Sequence, residues 1–274
     1  MNYRHSYHAG NFADVLKHLV SANIIEILSR KDKPICYLDT HAGRGIYSLS
    51  SSIEITSRES GTGIEKIMET TKDIPPLVAK YQEIAKTWGY PAYYPGSSAI
   101  AKTLLRASDR LILTELHPEE HAILKAQFSK NKHIAVHHLD GYKALKAFLP
   151  PKERRGFILI DPPFEKPNEW DLLIEHLRIG IQKFGTGVYA IWYPIKAAKE
   201  SQAFIHAVNS FKPNDALSIE LSIYPKDVSI NLIGCGMMVI NPPWPLKKEI
   251  EEWLPWLWQV LSINHSGEYR IHIY

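Results

Sequence analysis

The chain has 274 residues, 45% of them hydrophobic and 22% charged, with a formal net charge of +3. That composition excludes a disordered or collagen-like chain and a disulfide scaffold, and it supplies enough apolar residues for one large buried core. The slight positive balance fits a polyanionic partner without requiring one. Two cysteines, Cys36 and Cys235, lie in apolar strand-like runs and read as reduced core residues, not as a disulfide or a metal set. No apolar run reaches membrane-spanning length, and Met1-Asn2-Tyr3-Arg4-His5 lacks the basic-then-apolar form of a signal peptide. A cytoplasmic protein without membrane contact is expected.

The chain opens with a polar aromatic segment, Tyr3-Arg4-His5-Ser6-Tyr7-His8-Ala9-Gly10-Asn11. It can be a loose tail, or an arm that folds over an active site and offers Tyr3 to RNA or to a target base. His5, His8 and His18 have the right chemistry for a metal, but their spacing matches no zinc pattern and no metal is expected. Residues 14–30 then carry apolar side chains at helical spacing, from Val15 to Leu28. A short strand, 35–39, runs into the turn Thr40-His41-Ala42-Gly43-Arg44-Gly45. Residues 48–63 are serine-rich and polar, and 64–88 give two short helical patterns broken by Pro75-Pro76. The segment 48–95 therefore reads as a helical insertion within a single domain spanning 1–274.

Alternation of strand and helix resumes at Ser97. A helix through Leu105 precedes the strand 110–115, and Pro118 with Glu119 and Glu120 opens the next helix. The strand Ile134–His138 ends at Leu139-Asp140-Gly141, and a helix returns to the apolar strand 156–160. Helix 168–184 and strand 187–193 follow. Leu217–Tyr224 alternates strictly and suits Gly234–Ile240 as an antiparallel partner. A tryptophan-rich helix near 246–261 and a final strand close the chain. Parallel βα units with a late antiparallel pair predict an α/β fold, the Rossmann-like sheet of class I S-adenosylmethionine-dependent methyltransferases. A nicotinamide-binding sheet is the rival, but its third glycine falls on Ser48.

Each strand end carries something a nucleoside cofactor can use. Asp39 leads into Gly43-Arg44-Gly45, where backbone can approach the methionine part of S-adenosylmethionine. Glu115 can hold ribose hydroxyls, Asp140 can accept from the cofactor's adenine amine, and Gly141 leaves room for the ring. Asp161-Pro162-Pro163-Phe164 follows the strand 156–160. There the acid and the Pro162 carbonyl can accept both hydrogens of an exocyclic amine, the prolines add no competing donor, and Phe164 can stack on the base. Asn241-Pro242-Pro243-Trp244 fits the same loose pattern, but only about thirty residues follow it, too few for the rest of such a sheet. Asp161 reads as functional and Asn241 as structural.

The residues 3–11 and 13–18, together with Tyr37–Gly43, Tyr93–Ser97, Leu113–Pro118, Ile158–Pro163 and Ile240–Trp244, resemble the RlmJ family of large-subunit ribosomal RNA adenine-N6 methyltransferases, in order and over most of the chain. The resemblance implies a monomeric bacterial enzyme that methylates N6 of one adenine and prefers protein-poor 23S ribosomal RNA. It implies that His18, His41, Ser97, Glu115, Asp140 and Gly141 contact S-adenosylmethionine, that Asp161 accepts the proton, and that Tyr3 touches the RNA. This chain departs at Phe164, where tyrosine is commoner, at Phe12, which interrupts the amino-terminal motif, and at Arg44, where a small residue is usual and the added charge can meet either the cofactor carboxylate or the RNA. RNA affinity is expected from Arg4, Lys17 and Arg44, with Lys152, Arg154 and Arg155 either contributing or forming a solvated loop. Rival readings are methylation of DNA adenine, methylation of protein glutamine, and an inert RNA-binding module on the same sheet.

Overall fold

The computed structural model describes residues 8–49, 59–196, 198–211, 215–225 and 232–274. In chain order these form α1 (Phe12–Ser29), β1 (Cys36–Asp39), β2 (Ile46–Ser48), α2 (Ile64–Glu69), α3 (Pro76–Thr87), β3 (Tyr93–Pro95) and α4 (Ser97–Leu104). Then come β4 (Arg110–Glu115), α5 (Pro118–Phe128), β5 (Ile134–His138), α6 (Gly141–Phe148), β6 (Gly156–Ile160), α7 (Glu169–Lys183) and β7 (Val188–Ile195). The chain ends with α8 (Ala198–Ser210), β8 (Ala216–Ser222), β9 (Gly234–Ile240), α9 (Leu246–Leu261) and β10 (Glu268–Ile273). The strands expected at 110–115, 134–138 and 234–240 have those bounds. The sequence pattern assigns nothing to 194–216, where α8 lies, and does not predict the two-stranded antiparallel sheet of β2 and β3.

An eight-stranded sheet has the order β10-β8-β9-β7-β6-β1-β4-β5. β5, β4, β1, β6 and β7 run parallel, while β9 is antiparallel to both β7 and β8. This is the class I methyltransferase sheet, with β8 and β9 as the late antiparallel pair.

Strands covered on both faces read as unbroken apolar runs, which is why Phe157-Ile158-Leu159-Ile160 and Met237-Met238-Val239-Ile240 carry no polar residue. Alternate residues feed two cores. Tyr37, Phe157 and Leu159 pack toward α1, α4 and α9. Leu38, Ile158 and Ile160 pack toward α6, α7 and α8. Cys36 and Cys235 are free thiols, both buried. Among the described residues no helix is long and apolar enough to cross a membrane.

Strand order reverses between β1 and β6, so the loops after these two strands diverge and leave a crevice at their carboxyl ends. Register places the flanking acids there: Asp39 pairs with Leu113 on one side and with Leu159 on the other. Glu115 and Asp161 thus each lie two residues beyond the level of Asp39. β9 runs the other way, so the Asn241 turn falls at the opposite edge of the sheet, where Asn241 Nδ2 donates to the Gly185 and Gly187 carbonyls.

Candidate active site

The glycine turn after β1 is held from both sides. The Thr40 amide donates to the Leu159 carbonyl (3.1 Å), and the Ala42 amide to the Thr114 carbonyl (3.0 Å). Gly43 has φ +58°, and a Cβ there would strike the Tyr47 hydroxyl. Only glycine takes that conformation without strain in so little space. Glu115 accepts from the Gly43 amide (2.9 Å) and the His117 amide (2.7 Å). Burial nevertheless pushes its carboxyl above the usual range.

Two adjoining cavities open along these strand ends. One, of about 540 Å³, is lined by His18, His41, Ser97, Glu115 and the Asp161–Phe164 segment. The other, of about 820 Å³, is lined by His41, Glu115, Asp140 and Gly141. His41, Glu115, His117 and Pro163 line both. Asp161 and the residues proposed for cofactor and base, all but Tyr3, therefore meet around this pair of cavities. Tyr3 and Arg4 lie outside the described residues.

Asp39 sits beneath the turn, fully buried, accepting from Ser97 Oγ (2.6 Å) and the Tyr37 hydroxyl (3.0 Å). Burial pushes its carboxyl up to about 6, against these donors and the Lys17 charge. His41 Nδ1 lies 2.8 Å from Thr40 Oγ1, and burial lowers its pKa, favouring the neutral ring. His18 Nδ1 is 2.8 Å from the Tyr94 hydroxyl, which is 2.7 Å from that of Tyr81. Asp140 caps α6, its Oδ1 accepting from the Tyr142 and Lys143 amides. Oδ2 has no partner among the described residues. At Gly141 the space a side chain would need is taken by the Thr40 carbonyl (2.1 Å) and the His41 ring (2.7 Å). Its glycine is required first by this close packing.

Asp161 is reached by Lys17, a residue whose charge suggests an RNA contact in the sequence. Lys17 Nζ lies 2.6 Å from Asp161 Oδ2 and 2.7 Å from Asp14 Oδ1, with side-chain exposures of only 6% and 18% for Lys17 and Asp161. Burial works against the ammonium, but the two carboxylates outweigh it and hold its pKa well above the usual lysine value. Lys17 is thus an internal counter-ion and not a surface RNA contact. A signal existed: Asp14, Lys17, His18 and Ser21 recur at i, i+3, i+4 and i+7 as one polar stripe on the helix, and all four are buried. Asp161 Oδ1 and the Pro162 carbonyl accept no hydrogen bond among the described residues. Phe164 adopts φ +48°, which costs a residue bearing a Cβ about 1–2 kcal/mol. Its ring packs on Trp170 (centroids 4.6 Å apart) and Trp192 (5.9 Å), and Trp192 lines the same cavity.

The RNA role expected of Arg44 is corrected, whereas the loop reading of Lys152, Arg154 and Arg155 is kept. Arg44 is engaged in a two-pronged pair with Glu120, the Nε bond at 2.7 Å. It therefore points its charge at α5. Lys152, Arg154 and Arg155 precede β6, roughly 20 Å by strand rise from Asp161. Arg155 donates there to the Lys33 and Leu28 carbonyls. These three residues lie at the sheet edge away from the cavities. Near the first cavity, His8 pairs with Glu59 (3.0 Å), and Asn11, which caps α1, donates to the same carboxylate (2.8 Å).

The family described as "Ribosomal RNA large subunit methyltransferase D, RlmJ" matches residues 32–273. The chain belongs to this family. It is 43% identical over 270 residues to "Ribosomal RNA large subunit methyltransferase J" of Escherichia coli K12, covering 97% of this chain and 96% of that protein. The Haemophilus influenzae protein of the same name is 41% identical over 275 residues, covering 99% and 98%. Among solved structures, protein LPL1258 from Legionella pneumophila superposes with a TM-score of 0.90 at 36% identity, covering 97% of this chain and 98% of that one. The resemblance stated from short motifs thus extends over nearly the whole length of these RlmJ relatives.

Proposed function

We propose that this RlmJ-family chain transfers a methyl group from S-adenosylmethionine to the exocyclic N6 of one adenine in 23S ribosomal RNA, with the base flipped into the pocket at Asp161–Phe164. The observation that carries this reading is the arrangement at Asp161. One carboxylate oxygen is held by a buried ammonium, the other and the Pro162 carbonyl are open acceptors, and an aromatic cluster adjoins them. Two acceptors and an aromatic face suit a flat base bearing an amino group.

The adjoining cavities fit the cofactor. Glu115 and Asp140 supply acceptors for ribose hydroxyls and for an adenine amine, and His18, His41 and Ser97 line the same space. When bound, S-adenosylmethionine supplies the electrophilic methyl group. The adenine amine is a poor nucleophile because its lone pair is delocalised into the ring. Hydrogen bonds to Asp161 Oδ1 and the Pro162 carbonyl favour a pyramidal nitrogen and align it. Lys17 fixes the carboxylate and, holding its own proton firmly, leaves Asp161 as the acceptor of the proton that N6 releases. Phe164 and Trp192 offer stacking surface.

Tyr3 is proposed to contact the RNA, on the strength of the resemblance. The segment 48–95 is proposed as an insertion of a single domain 1–274 that faces the RNA, supported by the α2–α3 pair between the β2 and β3 strands. A monomer acting in the cytoplasm on protein-poor RNA completes the reading.

The test is methyl transfer from labelled S-adenosylmethionine to protein-free large-subunit RNA lacking adenine-N6 marks. Asp161→Ala is expected to lower the rate by about 100-fold or more while calorimetry shows cofactor affinity nearly unchanged. Transfer to DNA or protein but not to this RNA overturns the substrate. Loss of cofactor binding in the variant overturns the role of Asp161.

A further inference from the structure

The loop that carries the acid, residues 161–168, contains three prolines in eight positions. Among the described residues, Pro162 through Glu165 make no backbone–backbone hydrogen bond. Such a loop must be positioned by side chains. At its far end Glu169, the first residue of α7, is 2% exposed, and a buried carboxylate requires donors. Its Oε1 accepts from the Tyr142 hydroxyl (2.7 Å), and its Oε2 lies 3.4 Å from the Lys166 amide. The Glu169 amide in turn donates to the Lys166 carbonyl (3.1 Å).

Tyr142 belongs to the other side of the site. It follows Asp140-Gly141 directly, its ring meets the His41 ring edge-on at 5.4 Å, and its other neighbour is the His176 ring at 5.1 Å. Tyr142, Lys166 and Glu169 all line the 820 Å³ cavity with His41 and Asp140. One short hydrogen bond therefore ties the wall of that cavity to the end of the loop carrying Asp161. We infer that Tyr142 and Glu169 are positioning residues, forming a clamp through which the cofactor cavity fixes the Asp161–Phe164 loop. The inference rests on the reading above, in which that loop holds the target base.

Three variants test it on the full chain, by melting, by calorimetry with S-adenosylhomocysteine, and by single-turnover transfer to protein-free large-subunit RNA. Tyr142→Phe and Glu169→Ala are expected to bind the product within about threefold of wild type, yet to transfer at least about tenfold more slowly, as a displaced acceptor dictates. Glu169→Gln keeps an acceptor for the Tyr142 hydroxyl and retains more than about half the rate. A bond that merely supports the fold gives the reverse pattern, a lower melting temperature with an unchanged rate per folded molecule. The Asn168 amide, in the same loop but outside the lining of both cavities, supplies a readout free of the RNA: its NMR shift responds to bound S-adenosylhomocysteine in wild type and loses that response in Tyr142→Phe. A wild-type transfer rate in Tyr142→Phe, or an Asn168 response that persists in it, overturns the clamp. Failure of the wild type to methylate the RNA instead overturns the proposed substrate, and the Asn168 response then decides the clamp.

Discussion

Asp39 illustrates what burial does to a single group here. Its carboxyl is pushed up to about 6, so the folded chain holds that proton more tightly than the unfolded chain, whose aspartates titrate near 4. Between about pH 4 and pH 6 folding therefore takes up a proton, and this group's contribution to stability is lost as pH rises through that window. A shift of two units corresponds to about 3 kcal/mol. Urea unfolding of wild type and Asp39→Asn across that range should show the wild-type advantage shrinking by about that amount as pH rises. A difference that stays flat with pH would contradict the assignment. Ser97 and Tyr37 hold the same carboxylate, so the turn above it is fixed at the cost of a strained ionisation.

The elements show why some of the site was legible in the sequence and some was not. Acids at strand ends were readable, because strand period and turn residues locate the ends of β4, β5 and β6 to within a residue. That an acid follows each strand is a local fact. Lys17 was not readable as an Asp161 partner, because their meeting depends on how α1 lies across β6, 144 positions apart in sequence. The same limit hid the Tyr142–Glu169 bond and the contact of His18 with Tyr94. α8 is hard to read for a different reason, since its large apolar residues, Phe204, Ile205 and Val208, are few and crowded into its second half.

Gly141 sits between these cases: its place after Asp140 is legible in the sequence, whereas its packing against the turn after β1 is not. It begins α6 against the Thr40 carbonyl and the His41 ring, with backbone on one side and a pocket wall on the other. Gly141→Ala should lower stability by about 1–3 kcal/mol, as overpacking does, and weaken cofactor binding by displacing His41. Denaturant titration and calorimetry check both effects, and a variant indistinguishable from wild type would show that the turn yields freely.

Across the whole molecule, strand direction sorts the surface. The carboxyl ends of the five parallel strands gather the cavities, whereas the opposite edge receives Lys152, Arg154 and the Asn241 turn. RNA affinity should follow that division. Reversing charge at Lys152 and Arg154 together is expected to leave the KM for RNA within about twofold. Lys196→Glu, at the rim of the first cavity, should raise KM and reduce the salt dependence of binding by about one unit of slope. Equal effects from both edges would mean that the RNA wraps the molecule.

The two thiols divide along another line. Cys36 lies in β1, at the centre of the parallel half, and Cys235 in β9, within the antiparallel half. Burial pushes the Cys36 thiol up to about 12 and the Cys235 thiol in the same direction, so neither is a nucleophile while the sheet is closed. An alkylating reagent can reach each sulfur only when the strands around it part. The native chain thus carries two built-in clocks, one in each half, and the ratio of their labelling rates tells which half of the sheet breathes first.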